Sequence, residues 1–237
     1  MGRNGLLWLV LCAAIIAAGV HFFWPVPQDK TVFLPEEKPA PVTPLPPKVI
    51  HPGDRLFIRI LKAEDKLELW SSTGNKPYEL YKTWTICAWS GGLGPKRKEG
   101  DGKSPEGFYA TNKGLLNPRS RYHLAFNIGY PNAFDRANGY TGSFIMVHGS
   151  CVSAGCYAMT DAGIEEIYAL VAQALNSGQQ SVPVHIFPFA MSDENMRRAA
   201  KWPDYAFWRS LKPGYDYFEK NHRLPIISVE NRRYRIN

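Results

Sequence analysis

Cysteine is scarce in this 237-residue chain, with four in all at positions 12, 87, 151 and 156 and no C-x-x-C pair among them. A zinc site needs three or four ligands. His148, Cys151 and Cys156, even with His123 as a fourth, match the spacing of no common zinc module. Blocks of basic charge are missing too. Lys and Arg number 28 against 21 Asp and Glu, a net of +7, but they are dispersed and sit in no recognised nucleic-acid motif. Nucleic acid is therefore not an expected partner. There is no internal repeat.

Charge is absent from Leu6 to Trp24, and Arg3 precedes that run. Nineteen helical residues reach roughly 28 Å, close to the ~30 Å hydrocarbon core of a bilayer. Residues 1–24 therefore read as a signal-anchor or signal peptide, with an uncleaved anchor in the inner membrane the favoured form. Arg3 stays on the cytoplasmic side and the rest is exported to the periplasm. From Pro25 to Pro52 no periodic apolar pattern occurs, and nine prolines fall in 28 residues. Proline fixes φ and donates to no ladder, so residues 25–52 read as an extended, semi-rigid stalk.

Residues 53–237 hold enough chain for one sizeable core, with 24 Lys and Arg against 18 Asp and Glu. That modest excess suits a soluble surface, and outside the membrane it also suits an anionic wall polymer or lipid head group. "RLFIRILKAEDKLELWSS" alternates on both sides of "KAEDK" and predicts a hairpin. "YELYKTWTICAW", Phe108–Ala110, "RYHLAFNIGY" and "GSFIMVHG" predict further strands, with Cys87 a small buried hydrophobe. "GGLGPKRKEGDGKSPEG" predicts a loop. "TDAGIEEIYALVAQALNSG" has helical spacing, with Thr160 or Asp161 as cap and Gly178 as stop. "VPVHIFPF" predicts a strand, "SDENMRRAAK" a short helix and "YAFWRSLKPGYDYFEKNH" a broken one. The expected fold is mainly β with helices packed on one side, an α+β class.

"HGSCVSAGC", residues 148–156, concentrates one histidine and two cysteines at the end of an apolar strand. Four chemistries are open to it. The first is the metal clip above, and the second a Cys151–Cys156 disulfide, whose tiny loop adds little chain entropy. The third is a small buried cysteine on a turn. The fourth is a thiol nucleophile, with His148 taking the Cys156 proton and the start of a following helix favouring the thiolate.

"SAGCYAM" resembles the S-H-G-C-I-R-M signature of the L,D-transpeptidase catalytic domain (YkuD-type). "VHG" resembles that family's histidine strand, and "KSPEGFY" its T-P-x-G-x-F segment. Together with "YHLAFNIGYPNAFD" and "HGSCVSAGCYAMTD", these motifs resemble the YafK-like branch over roughly residues 55–190. The resemblance implies a β-sandwich or barrel core over 53–190, with 191–237 an aromatic-rich extension packed on it. It implies Cys156 as nucleophile and His148 as base. It also implies that Ser153 and Gly155 shape the turn, with Gly155 and Cys156 supplying oxyanion donors. Ala154 and Ala158 stand where the signature has histidine and arginine. His123 then remains as a second candidate base, and Lys103, Arg119 and Arg121 as candidate holders of a substrate carboxylate. The implied activity is transfer of peptidoglycan stem peptides through a thioester, with no metal or organic cofactor. Hydrolysis by the same acyl-enzyme, including release of a wall-linked lipoprotein, is the alternative. A non-catalytic wall-binding protein, or an adaptor recruiting wall enzymes through its tail, is the reading from another class.

Overall fold

The computed structural model describes residues 49–237. The anchor and most of the stalk expected from the sequence lie outside these residues. In chain order come β1 (Arg55–Leu61), β2 (Lys66–Ser72), β3 (Glu79–Thr85), β4 (Gly107–Thr111), β5 (Leu116–Ser120), β6 (His123–Asn127) and α1 (Ala133–Ala137). Then follow β7 (Met146–His148), β8 (Tyr157–Ala158), α2 (Asp161–Asn176), β9 (Val182–Phe187), α3 (Asp193–Arg198), α4 (Tyr205–Asn221), β10 (Ile227–Glu230) and β11 (Arg233–Ile236). The strands build a sheet β3-β2-β1-β9-β4, a second sheet β5-β6-β7-β8 and a hairpin β10-β11. Two pairings among them are parallel, β1 with β9 and β7 with β8. Among the described residues no helix is long and apolar enough to cross a membrane.

Strand alternation divides β1 between two cores. Leu56, Ile58 and Ile60 pack with Val147 and Tyr157 of the second sheet and with Ile164, Ile167 and Val171 of α2. Thr160 caps α2, its side chain accepting the Gly163 N–H at 3.0 Å. The other face of β1 is covered as well. Phe57 packs on Phe218 of α4, and Leu61 belongs to the cluster of Trp208, Leu211 and Tyr215. Helices therefore cover both faces of the five-stranded sheet, not one side as the sequence suggests. A strand buried on both faces loses clean alternation, and "RLFIRIL" is nearly continuous in apolar residues.

The second difference is α4, which runs unbroken through Pro213. Proline removes one backbone hydrogen bond there. Trp208, Leu211, Tyr215 and Phe218 recur at helical spacing across it, and burial of that face holds both halves in line. Gly214 brings the helix close, since a Cβ there would meet Phe108 at 2.7 Å. Arg59, buried under α4, is ion-paired to Glu68 at 2.7 Å and to Glu219, with Trp70, Tyr215 and Phe218 around its guanidinium. Tyr234 of β11 stacks on Phe134 at 4.3 Å and joins the C-terminal hairpin to α1.

Candidate active site

His148 ends β7, and Cys156 immediately precedes β8, the strand that pairs parallel to it. Val147 pairs with Tyr157, and His148 with Ala158. Val147 and Tyr157 both enter the main core, so alternation turns Met146, His148 and Cys156 to the opposite face. One step back in register, the Met146 N–H donates to Cys156 Sγ at 3.4 Å. With strands about 4.8 Å apart and rising about 3.3 Å per residue, His148 lies one diagonal step from the thiol.

The imidazole has a defined tautomer. Its Nδ1 lies 2.6 Å from the Gly149 carbonyl, which only accepts, so Nδ1 carries the hydrogen and Nε2 is left basic. Burial lowers the proton affinity of His148 below the ordinary imidazole value, against a smaller opposing effect of that carbonyl. Burial pushes the Cys156 thiol up, opposed by the Met146 N–H and by the Lys96 cation. The resting pair is therefore a neutral thiol beside a neutral imidazole. No helix follows Cys156 directly. Strand β8 intervenes and α2 begins at Asp161, which removes the helix N-terminus expected to favour the thiolate.

The turn before the thiol is fastened from two sides. The Cys156 carbonyl accepts Ser153 Oγ at 2.7 Å and Ser104 Oγ at 3.2 Å. The Gly155 N–H donates to Ser153 Oγ at 3.2 Å, so one of the two expected oxyanion donors is already engaged. Gly155 has φ +119°, and a Cβ there would touch the Lys103 carbonyl at 3.4 Å. Lys103 thus borders the nucleophile turn through its backbone, while its ammonium donates to the Leu93 carbonyl at 3.1 Å.

The other expected residues are placed differently. His123 is engaged with Glu165 of α2 at 2.7 Å. Arg119, in β5, and Arg121, in the turn between β5 and β6, are both exposed. Cys87 is exposed and bonded to Cys151, with Cα atoms 5.0 Å apart, whereas Cys156 is free. That pairing overturns both the buried Cys87 and the Cys151–Cys156 disulfide. It also dismantles the zinc set, since Cys151 and His123 are engaged elsewhere.

Four residues at the site carry no signal in "HGSCVSAGC". The Tyr122 ring packs against His148, tilted by 36° with centroids 4.8 Å apart, and its carbonyl accepts the Gly149 N–H at 3.0 Å. Asp161 accepts the Ser150 N–H at 2.8 Å. Lys96 supplies a nearby positive charge, and Ser104 holds the Cys156 carbonyl. Ser104 has a sequence clue, because it opens the "SPEGFY" segment.

The chain matches the L,D-transpeptidase catalytic domain (YkuD) over residues 57–186. A protein of Escherichia coli (strain K12) named "Putative L,D-transpeptidase YafK" is 52% identical over 183 residues, 77% of this chain and 74% of that one. Among solved structures, the helical cell shape determining protein Pgp2 from Campylobacter jejuni superposes with TM-score 0.48 at 21% identity, covering 77% of this chain and 79% of its own. Mycobacterium tuberculosis L,D-transpeptidase 1 superposes with TM-score 0.33 at 13% identity, covering 56% of this chain and 62% of its own.

Proposed function

Because the chain belongs to the L,D-transpeptidase catalytic-domain family, we propose that it is an envelope acyl-transfer enzyme acting on peptidoglycan stem peptides through a thioester at Cys156. The observation that carries this reading is the β7–β8 register, which sets a free thiol and a base of defined tautomer on one face. Cys156 Sγ attacks the carbonyl of an L,D-type amide and gives its proton to His148 Nε2. The Gly149 carbonyl, bonded to Nδ1–H, stabilises the imidazolium formed. The Cys156 N–H is the remaining oxyanion donor, because the Gly155 N–H is held by Ser153. The tetrahedral intermediate collapses, His148 protonates the leaving amine, and the acyl group stays on sulfur. Nε2 then deprotonates the incoming nucleophile, which displaces the thiol.

An amine on another stem makes a crosslink, whereas water cleaves, as it would to free a wall-linked lipoprotein. Lys103, on the wall of the nucleophile turn, is the cation we assign to a donor carboxylate. On this reading residues 6–24 tether the enzyme to the inner membrane and leave its domain in the periplasm.

The test incubates the purified protein with sacculi and resolves the muropeptides. New crosslinks identify transfer, and shortened or detached stems identify hydrolysis. Cys156→Ser should abolish either product. Wild-type protein that binds sacculi and changes no muropeptide would indicate the non-catalytic reading instead.

A further inference from the structure

The loop between the base and the nucleophile is buried at its ends, Gly149 and Gly155, but has little burial to hold its middle. Ser150, Cys151, Val152 and Ala154 are exposed. Ser150 and Cys151 adopt φ of +68° and +47°, the left-handed region that residues with a Cβ resist. Two backbone hydrogen bonds counter this, Ser150 N–H to Asp161 at 2.8 Å and Cys151 N–H to the Met159 carbonyl at 3.3 Å. Gly149 and Ser153 fasten the two ends of the loop, and the exposed part between them has one more tie, which is covalent.

Cys87 is not a remote anchor for that bond. Its N–H donates to the Ala158 carbonyl at 2.8 Å, and the Ala158 N–H donates to the Ala88 carbonyl at 2.8 Å. Ala158 follows the nucleophile by two residues. The Cys87–Cys151 bond therefore closes a ring across the turn that carries Cys156, with His148 entering on one side and β8 leaving on the other. Release of the bond would leave the exposed half of the loop on two hydrogen bonds and an unfavourable backbone.

We infer that the Cys87–Cys151 disulfide positions the loop between His148 and Cys156, and that the site works only while this bond is formed. The inference rests on the thioester reading above. Its consequence runs against the usual behaviour of thiol enzymes, because a reductant should lower turnover while leaving the nucleophile intact. Dithiothreitol supplies the two electrons and two protons that convert Cys87 and Cys151 to thiols, and is itself oxidised to its cyclic disulfide. Cys156 is already a thiol and is unchanged. Both disulfide cysteines are exposed, so the reagent has access.

The test uses full-length protein in detergent in three forms. These are oxidised wild type, wild type reduced with dithiothreitol and then freed of it, and the Cys87→Ser/Cys151→Ser double variant. Iodoacetamide labelling of Cys156 is read by mass spectrometry against pH, with and without His148→Ala in each background, below the onset of thermal unfolding. In oxidised protein His148 takes the thiol proton as sulfur attacks the reagent, so His148→Ala should slow labelling near neutral pH at least tenfold. In both forms lacking the bond that dependence should shrink to less than twofold. Their kcat on sacculi should fall ten- to a hundredfold with KM little changed, and reoxidation of the reduced wild type should restore it. A folded double variant that keeps His148-dependent labelling and kcat within twofold overturns the inference. Should the double variant fail to fold, the same criterion applies to the reduced wild type. Labelling needs no substrate, so oxidised protein with His148-dependent labelling but no action on sacculi defeats the proposed function and leaves the loop judged by labelling alone.

Discussion

At the scale of residues, burial displaces the proton affinities of His148 and Cys156 in opposite directions, one down and the other up. A thiolate–imidazolium pair is therefore not the resting form, and the proposed mechanism requires His148 to act as a true base during attack. kcat/KM should rise with pH as His148 loses its proton, with a midpoint below the ordinary imidazole value of about 6.5. It should then stay flat until beyond the ordinary thiol value of about 8.5. A pH–rate profile whose acid limb lies above 6.5, or which falls before 8.5, would contradict the neutral pair. His148→Ala should cost about 10²- to 10⁴-fold in kcat, the usual range for a lost general base. The residue types at 148 and 156 are legible in the sequence. Their protonation states are not, because these depend on what buries them. Tyr122 over the imidazole is equally invisible, since the β6–β7 register brings it there.

At the scale of elements, the segment between β3 and β4 reads as a glycine-rich, charged loop and is one, yet it is anchored from inside. Lys62, directly after β1, is fully buried and lies 2.9 Å from Glu106. Its ammonium also donates to the carbonyls of Gly92 and Ser104 at 2.9 Å. Glu106 in turn accepts the Gly94 N–H at 2.7 Å and Trp208 Nε1 of α4 at 2.8 Å. One ion pair thus joins β1, this loop and α4, and the loop carries Ser104 to the Cys156 carbonyl. Glu106→Gln should lower the unfolding free energy by about 3–5 kcal/mol, because it leaves the Lys62 charge buried without its partner. Urea titration measures this, and a loss under about 1 kcal/mol would mean that the pair contributes little. In the sequence, Lys62 belongs to a polar hairpin turn. Its burial arises only once the loop folds back over the strand ends.

At the scale of the whole molecule, closure of both faces of the five-stranded sheet buries a histidine. His185 of β9 is packed among Phe57, Phe108 and Phe187, and burial together with the Arg59 cation lowers its pKa to about 3. Below about pH 6.5 the unfolded chain protonates this residue and the folded chain does not, until near pH 3. Stability should therefore fall as pH drops through that window, by up to about 1.4 kcal/mol per unit for one proton. Asp135, raised to about 6 by burial, acts in the opposite sense as it takes up a proton in the folded state. Comparison of His185→Phe with wild type isolates the histidine. Denaturant unfolding from pH 7 to 4 should show a flatter acid decline for the variant, and parallel declines would remove His185 as the cause.

The first hairpin β1–β2, the span of α2, the loop from 91 to 106 and the family motifs around Cys156 were determined by the sequence alone, whereas β5, β8 and the β10–β11 hairpin were not. Periodicity, capping and turn chemistry act within a few residues, so they are written locally. The partner of Cys87, 64 residues away, was decided by the tertiary structure. So were the packing of Tyr122 against His148, the burial of Lys62 and Arg59, and the continuity of α4 through Pro213. Each depends on which strand edges meet and which sheet face a helix covers. Those are contacts between distant segments, and their free energy appears only when both sides are in place.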